Sequence, residues 1–281
     1  MIDRTQREAA VIARTDEALG APVTYSRLVA DLRALDIPAG RPVIVHSSLS
    51  AIGWVAGGPS VVVDALVDAL APATVMVPTQ SGSRSDPQYW HNPPVPLHWL
   101  PIIREQTPAF DPLRVETRGM GQIVEAFRTD RRAVRGPHPT VSFAAIGPDA
   151  AQLVSPHDLV PQFGDTSPLG RLYEADGVIL QLGVTHSTNT SFHLAETRAE
   201  WPGKPGPIED GAALLVDGRS QWVPFDGEVA ETDDFEELGE AFMAAHPPHE
   251  GRVGIAPSRW CSMVDAVDFA TPWFAAHRGG G

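Results

Sequence analysis

Two kinds of hydrophobic pattern alternate along the chain from its start. In residues 6–19, 24–36 and 60–70 the apolar positions recur every three or four residues, which predicts amphipathic helices. Between these segments, residues 42–45 and 74–78 form short continuous apolar runs, which predict buried strands. Helices and strands that alternate in this order are typical of an α/β core.

The same alternation continues toward the C-terminus. Further helices are predicted at residues 122–128, 169–174, 189–199, 235–245 and 263–277, and further strands at residues 141–146 and 178–182. Residues 212–216 and 221–225 alternate around Asp217-Gly218, which is a two-residue hairpin signal. We therefore expect a single α/β domain at residues 24–281, with a central mixed β-sheet flanked by helices and a small C-terminal β-hairpin. A helical extension at residues 1–23 precedes it, and the terminal glycines at residues 279–281 should fray.

Residues 80–118 interrupt the pattern. They are rich in Pro, Trp and polar residues and predict at most one short helix, near residues 98–106. A loop of this length within a compact domain is usually either functional or disordered. Its aromatic content favours an ordered, functional insertion.

Composition excludes several classes of protein. The chain has 281 residues, of which 43% are hydrophobic and 20% charged, so it can bury a large core and is not a disordered chain. No apolar run approaches the roughly 20 residues of a membrane-spanning helix, and the charged N-terminus does not resemble a signal peptide. The single cysteine, Cys261, excludes an internal disulfide and a Cys-rich zinc site. We expect a cytoplasmic protein without membrane contact.

The charge balance points away from nucleic acid. Lys and Arg number 21 against 35 Asp and Glu, which gives a net charge of −14, whereas duplex-binding proteins show a basic surface. An acidic chain suits solubility or an acidic cleft for cationic molecules. Against this background the cluster Arg131, Arg132 and Arg135 suggests an anionic ligand such as phosphate. The alternative is a solvated helix end whose dipole favours cations.

Small and polar residues follow the first predicted strand. His46-Ser-Ser-Leu-Ser50 and then Gly57-Gly58 would place backbone N–H groups and hydroxyls around an anion or a polar chain. The spacing is that of neither a Walker A motif nor G-x-G-x-x-G, so it does not support nucleotide binding by those routes. A glycine-rich turn with hydroxyl caps is the structural alternative.

A second polar segment follows the strand at residues 178–182. His193 and Glu196 are three residues apart on the next predicted helix and therefore share a face. A carboxylate beside an imidazole fixes its tautomer and stabilises the protonated ring, as a general base requires. His186 lies at the strand end, where catalytic groups of α/β folds often occur. The alternative is a structural His–Glu pair.

Six segments resemble a known family. In chain order they are HSSLSAIGWVAGG, DPQYWHNPPVP, PAFDP…TRGMG, HPTVSFAA, SPLGRLYEADG and NTSFHLAE. They resemble the aminoglycoside 3-N-acetyltransferases of the antibiotic N-acetyltransferase family, from about Tyr25 to His277. The resemblance implies transfer of an acetyl group from acetyl-coenzyme A to the 3-amino group of 2-deoxystreptamine aminoglycosides, which confers antibiotic resistance. It also implies an α/β fold distinct from the common N-acetyltransferase fold.

The resemblance also implies site residues. It makes His193 the catalytic histidine and Glu196 its nearest carboxylate partner, with Asp176 and Glu228 as weaker candidates for that carboxylate. Three segments should bind the coenzyme, and their matching residues are Ser47, Ser48, Leu49, Arg118, Gly119, Met120, Ser142 and Phe143. Because the acceptor is a polycation, its pocket should be acidic and lined by aromatic rings. The residues expected to contact it are Asp86, Tyr89, His186, Asn189, Thr190 and Glu228.

Two positions depart from the family pattern. Many relatives carry an acidic residue directly after the position of His186, where this chain has Ser187, and Gly136-Pro137 replaces a polar pair before His138. Neither departure affects His193 or Glu196. We expect direct transfer in a ternary complex, with backbone N–H groups near residues 47–49 stabilising the oxyanion, because Cys261 lies outside every motif and no G-x-S-x-G sequence is present.

Other functions remain open at this point. A metallohydrolase could use His46, His138, His186, His193 and Glu196 as ligands, although no closely spaced ligand motif supports it and we expect no metal. A non-catalytic binder of cationic molecules would need the acidic walls but not the coenzyme. An acetyltransferase of the same fold could act on another amine. The chain could act as a monomer or a homodimer.

Overall fold

A mixed sheet forms the centre of the molecule in the computed structural model, which describes residues 4–279. Its strands are β1 (Val43–Ser47), β2 (Val75–Pro78), β3 (Val134–Arg135), β4 (Phe143–Ile146), β5 (Val178–Leu182), β8 (His249–Val253) and β9 (Ala256–Ser262). Their order across the sheet is β3-β4-β2-β1-β5-β9-β8. Strand β1 runs parallel to β2 and β5, and the outer pairs are antiparallel.

Helices cover both faces of this sheet. In chain order the helices of the described residues are α1 (Arg4–Leu19), α2 (Tyr25–Ala34), α3 (Leu49–Ile52), α4 (Pro59–Leu70), α5 (Leu100–Gln106), α6 (Gln122–Arg128), α7 (Ala150–Val154), α8 (Pro168–Glu174), α9 (Phe192–Arg198), α10 (Phe235–Ala245) and α11 (Met263–His277). The remaining strands, β6 (Ile208–Val216) and β7 (Arg219–Gly227), pair as a separate antiparallel hairpin. Among residues 4–279, no helix combines the length and the apolar character needed to cross a membrane.

The central strands have continuous apolar sequences because helices cover both faces of the sheet, so that side chains on either face are buried. Along β1, Val43 and Val45 pack with α2, α4 and α6, whereas Ile44 packs with α8 to α11 on the other face. Strands β2, β4 and β5 are buried over their full length. Two hydrophobic layers therefore hold the carboxyl ends of β1, β2 and β5 at one edge, since parallel strands end on the same side.

The predicted α/β class, with a mixed sheet and a small hairpin, is confirmed. The hairpin is longer than predicted, at Ile208–Gly227, and the helix expected at residues 189–199 begins at Phe192. Sequence reasoning missed β3, β8 and β9 and the short helices α3 and α7. Of the three terminal glycines at residues 279–281 that are predicted to fray, residues 280 and 281 lie outside the described residues.

The insertion at residues 80–118 packs on the hairpin. The backbone N–H of Phe110 donates to the carbonyl of Ala213 at 3.0 Å, and the Tyr89 hydroxyl donates to the carbonyl of Glu209 at 2.7 Å. Short 3-10 turns and α5 make up its regular structure. The predicted helix near residues 98–106 corresponds to α5 and the turn before it.

Candidate active site

A cavity of about 1050 Å³ lies where β1, β2 and β5 end. His46 and Ser47 at the end of β1, Pro78 at the end of β2 and Val184 after β5 all line it. Ligands bind at this edge of open α/β sheets because loops diverge there and leave a crevice. The fold thus brings three separated sequence motifs to one cavity.

A buried His–Glu pair faces this cavity from α9. The Nδ1 atom of His193 lies 2.7 Å from Oε2 of Glu196, and both side chains are 7% exposed. His193 lines the cavity. With Nδ1–H donating to the carboxylate, Nε2 carries the lone pair that can accept a proton. The three-residue spacing on one helix face, predicted from sequence, produces this contact.

Aromatic rings hold the imidazole in place. Phe163 stacks on the His193 ring with centroids 4.5 Å apart and an interplanar angle of 10°, and the Phe235 ring lies 4.9 Å away at 56°. Both phenylalanines are buried. The ring of His193 is therefore fixed by packing as well as by its hydrogen bond, which is the preorganisation a proton acceptor needs.

The second oxygen of Glu196 is held from two other directions. Nη1 of Arg278, just after α11, donates to Oε1, and the backbone N–H of Glu231 donates to the same atom at 3.0 Å. Arg278 also donates from two nitrogens to the carboxylate of Asp234, at 2.7 and 2.6 Å. Burial alone would raise the pKa of Glu196, but the bonds from His193, Arg278 and Glu231 outweigh it and lower that pKa. The carboxylate thus stays ionised beside His193.

Two further residues of this motif, His186 and Asn189, lie in the turn before α9 and form hydrogen bonds there. The side-chain amide of Asn189 lies 3.2 Å from Nδ1 of His186, and its Oδ1 accepts from the backbone N–H of Ser191 at 3.2 Å. Both His186 and Asn189 are buried at or below 1% exposure. Neither residue lines the cavity, and their bonds shape the entry into α9, so their predicted contact with the acceptor is corrected to a supporting role. Thr190 lines the cavity, and its contact with the acceptor stays a prediction.

The predicted coenzyme residues divide into two groups. Ser47, Ser48, Leu49, Gly119 and Met120 line the cavity. At Gly119 and Gly121 the backbone has φ of +76° and +88°, and a Cβ would meet open space. Glycine permits this left-handed backbone, which lets the segment border the cavity without a side chain.

The other three predicted coenzyme residues are not at the cavity. Ser142 is fully buried and hydrogen-bonds to Thr79, and Phe143 is fully buried in the core on β4. The guanidinium of Arg118 donates to the carbonyl of Asn92 at 2.6 Å. The sequence motif does not show burial, so it does not distinguish these three residues from those at the cavity.

The acidic and aromatic residues of the insertion also have structural partners. Asp86 is 1% exposed, pairs with Arg104 at 2.9 Å and accepts from the backbone N–H of Gln88. Tyr89 is engaged with the hairpin through Glu209. Their predicted contact with the acceptor is corrected accordingly, since neither polar group is directed at the large cavity.

The other carboxylates predicted near His193 lie apart from it. Asp176 precedes β5, at the opposite edge of the sheet from the cavity, and pairs with Arg41 at 2.5 Å. Glu228 accepts from the backbone N–H of Gln162 at 3.1 Å and lines a smaller cavity of about 240 Å³ on the far side of Glu196. The structure pairs His193 with Glu196, so Asp176 is wrong as its partner.

Two of the three arginines in the cluster at residues 131–135 are engaged within the fold, and none of the three lines the large cavity. Arg135 is 8% exposed and donates to the side chains of Thr79, Ser142 and Ser81 and to backbone carbonyls. Burial lowers its pKa to about 10. Arg132 pairs with Asp64 and Asp130. These two cations stabilise the fold around the loop at residues 112–115 and around α4.

Ser187 stands where the resemblance predicts an acidic residue, and a carboxylate lies beside it. Its backbone N–H donates to Oε2 of Glu236 on α10 at 2.9 Å, and Ser187 lines the cavity. Within residues 4–279, no group of three or more His, Cys, Asp or Glu side chains is placed to hold a metal ion.

Comparison with known proteins agrees with the motifs. The family model for aminoglycoside 3-N-acetyltransferase matches residues 44–275. The chain is 42% identical over 255 residues to the SPbeta prophage-derived aminoglycoside N(3')-acetyltransferase-like protein YokD of Bacillus subtilis, covering 90% of this chain and 93% of the relative. The crystal structure of YokD superposes with a TM-score of 0.90, covering 96% of this chain and all of that one.

Two further relatives bear on the reaction. Aminoglycoside N(3)-acetyltransferase VIII of Streptomyces fradiae is 39% identical over 282 residues, covering 94% of this chain and 96% of the relative. The structure of AAC-IIIb in a binary complex with CoASH has a TM-score of 0.82 at 29% identity, covering 93% of this chain and 99% of that one. The predictions of an acyltransferase and of acetyl-coenzyme A as co-substrate are confirmed at the level of the family. The chain belongs to the aminoglycoside 3-N-acetyltransferase family.

Proposed function

We propose that this protein acetylates the 3-amino group of 2-deoxystreptamine aminoglycosides by direct transfer from acetyl-coenzyme A, and that it thereby confers resistance. The observation that carries the proposal is the buried His193–Glu196 pair, whose imidazole faces the cavity built from the coenzyme motifs. The domain at residues 24–281 supplies this machinery, and the extension at residues 1–23 precedes it.

His193 acts as the general base. The acceptor amine loses a proton to Nε2 while its nitrogen attacks the thioester carbonyl, so that an N–C bond forms. The tetrahedral intermediate then expels the thiolate with cleavage of the C–S bond, and the thiolate takes the proton from the imidazolium. The ionised Glu196 stabilises that imidazolium, because an opposite charge at 2.7 Å favours the protonated ring.

The oxyanion would be stabilised next to the end of β1. The backbone N–H of Ser48 donates to the carbonyl of Leu182 at 3.0 Å, so it is not available. Leu49, the first residue of α3, has no acceptor for its backbone N–H within the described part of the chain. Its position on the cavity wall makes this N–H the candidate donor.

Carboxylates near the cavity suit a cationic acceptor. Thr232 and Phe235 line the cavity, and the neighbouring Glu231 and Asp233 are exposed. Glu236 reaches the cavity edge through Ser187. Carboxylates at the edge of the cavity attract polycationic sugars, and this attraction weakens as the salt concentration rises.

Thiol release from acetyl-coenzyme A across a set of aminoglycosides tests this function. The set should include 4,5- and 4,6-disubstituted 2-deoxystreptamine compounds, apramycin and a streptidine-based compound. We expect turnover with 2-deoxystreptamine compounds and none with streptidine. Turnover that is absent from the whole set, in protein that binds coenzyme A, would refute the acceptor class.

Replacing Glu196 by glutamine should lower kcat by about 100-fold, because the neutral amide neither stabilises the imidazolium nor fixes its tautomer. The matched control is Glu200→Gln, which removes a carboxylate from an exposed position on the same chain segment. Steady-state kinetics with one aminoglycoside provide the measurement. Equal kcat values for the two variants would show that Glu196 only supports the fold.

A further inference from the structure

The extension at residues 4–19 lines the large cavity. Arg4, Arg7, Glu8 and Val11 of α1 all border it. These positions are three, four and seven residues from the first, so they share one face of the helix. The family model begins at residue 44, so this wall lies outside the part of the chain that the model matches.

Contacts at the other end of α1 fix the helix against the coenzyme motif. Nη2 of Arg14 donates to the carbonyl of Ser50 at 3.1 Å. The hydroxyl of Thr15, which is 2% exposed, accepts from the backbone N–H of Trp54 at 2.8 Å. Trp54 itself lines the cavity. The position of α1 is therefore tied to the segment that follows β1, and the face with the two arginines cannot turn away without breaking these bonds.

The charge of the α1 residues that line the cavity indicates which of the two substrates binds beside them. Among the described residues that line the cavity, Arg4 and Arg7 are the permanent cations and Glu8 is the carboxylate. The acceptor carries several ammonium groups, which two guanidinium groups would repel. Coenzyme A carries a diphosphate and a 3′-phosphate, which guanidinium groups bind with paired, charge-assisted hydrogen bonds.

None of the arginines that the sequence suggested for an anionic ligand, Arg118, Arg131, Arg132 and Arg135, lines the cavity. Arg135 is buried and donates to the carbonyl of Thr79, and Arg118 donates to the carbonyl of Asn92. Arg132 pairs with two aspartates. In a chain with a net charge of −14, a polyanion needs cations at its binding site to overcome the general repulsion. Arg4 and Arg7 on α1 place two guanidinium groups at the cavity wall.

We propose that α1 is part of the coenzyme site and that Arg4 and Arg7 bind the phosphate groups of acetyl-coenzyme A. This inference rests on the proposed function, in which the coenzyme occupies this cavity. It gives the N-terminal extension a role in recognising the nucleotide end of the donor, whereas His193 and Glu196 act on the acetyl group.

The test compares donors with and without phosphates. The double variant Arg4→Gln/Arg7→Gln should raise KM for acetyl-coenzyme A about tenfold, since each exposed ion pair contributes modestly. It should leave KM for S-acetylpantetheine, which lacks those phosphates, and KM for the aminoglycoside unchanged. The variant Arg4→Lys/Arg7→Lys should retain most of the affinity because it keeps both charges. Arg33→Gln/Arg114→Gln removes the same two charges at exposed positions away from the cavity and serves as the control.

The outcomes separate this inference from the function on which it rests. An increase in KM for acetyl-coenzyme A alone, which diminishes in 0.5 M salt, supports it. An equal increase for S-acetylpantetheine, or an equal increase in the control, overturns it even though the wild-type protein transfers acetyl groups. If the wild-type protein shows no turnover, the same comparison is made by titration calorimetry with coenzyme A and pantetheine. Equal coenzyme A affinity of the wild-type and Gln variants then overturns the inference.

Discussion

His193→Ala should lower kcat for acetyl transfer by between about 10²- and 10⁴-fold, the usual contribution of a positioned general base. The reason is geometric. The imidazole is held by Glu196 at 2.7 Å and by two phenylalanine rings, and it faces the cavity. KM for acetyl-coenzyme A should change little, because the predicted coenzyme contacts lie on other segments.

The measurement is steady-state kinetics of thiol release at saturating aminoglycoside. His98→Gln, at an exposed ring in the insertion, is the control for losing a histidine. Because alanine leaves a space between Phe163 and Phe235, coenzyme A binding by the variant is measured in parallel to show that it is folded. Unchanged kcat in a folded variant would exclude His193 as the base.

Acidification should destabilise the protein well before its carboxylates titrate. Four buried histidines lie outside the His193–Glu196 pair, and burial is the main cause that lowers their pKa values, to about 3 for His46 and His138 and about 4 for His157 and His186. In the unfolded chain these rings have pKa values near 6.5. Their folded pKa values are depressed, so the unfolded state binds more protons, and stability is lost as pH falls from about 6.5 toward 4.

The expected loss follows from that linkage. Each ring contributes about 1 kcal/mol between pH 7 and pH 5.5, so the four together lower the free energy of unfolding by roughly 4 kcal/mol. Urea titrations at pH 7.5, 6.5 and 5.5 measure this loss. His157→Gln should reduce the slope of the unfolding free energy against pH by the equivalent of one proton. Equal unfolding free energies at the three pH values would show that these rings do not stay neutral in the folded protein.

The hydrophobic pattern of the sequence predicts those elements whose apolar residues are also the buried ones. Strands β1, β2 and β5 are continuous apolar runs buried on both faces, so their positions follow from the sequence alone. Strand β8 reads His249-Glu-Gly-Arg-Val253 and is mostly exposed at the edge of the sheet. Its position depends on pairing with β9 rather than on an apolar pattern, and sequence reasoning missed it.

In the candidate site, too, contacts between residues close in sequence were predicted, and contacts between distant residues were not. The His193–Glu196 contact is local, because residues three apart on a helix share a face, and it was predicted. Arg278, which reaches Glu196 from the end of α11, is 82 residues away in the chain, and no spacing rule connects the two. Phe163 lies in a loop without periodicity, and its stacking on His193 depends on tertiary packing.

Charge alone misassigned the arginines. The cluster at residues 131–135 appeared available for an anion because sequence does not show burial, whereas Arg135 forms part of the interior. Arg4 and Arg7 received no role because α1 precedes every motif. The contacts of Arg14 and Thr15 with the segment after β1 hold that helix at the cavity, and these contacts between distant parts of the chain do not show in the sequence.

The position of the acetyl group on the product distinguishes a 3-N-acetyltransferase from an enzyme that acts on another amine. Wild-type protein, acetyl-coenzyme A and neamine are incubated to completion, and the product is examined by two-dimensional NMR. We expect a single acetyl group on the 3-amino nitrogen of the 2-deoxystreptamine ring. An acetyl group on another nitrogen, or no acetylated neamine at all, would contradict it.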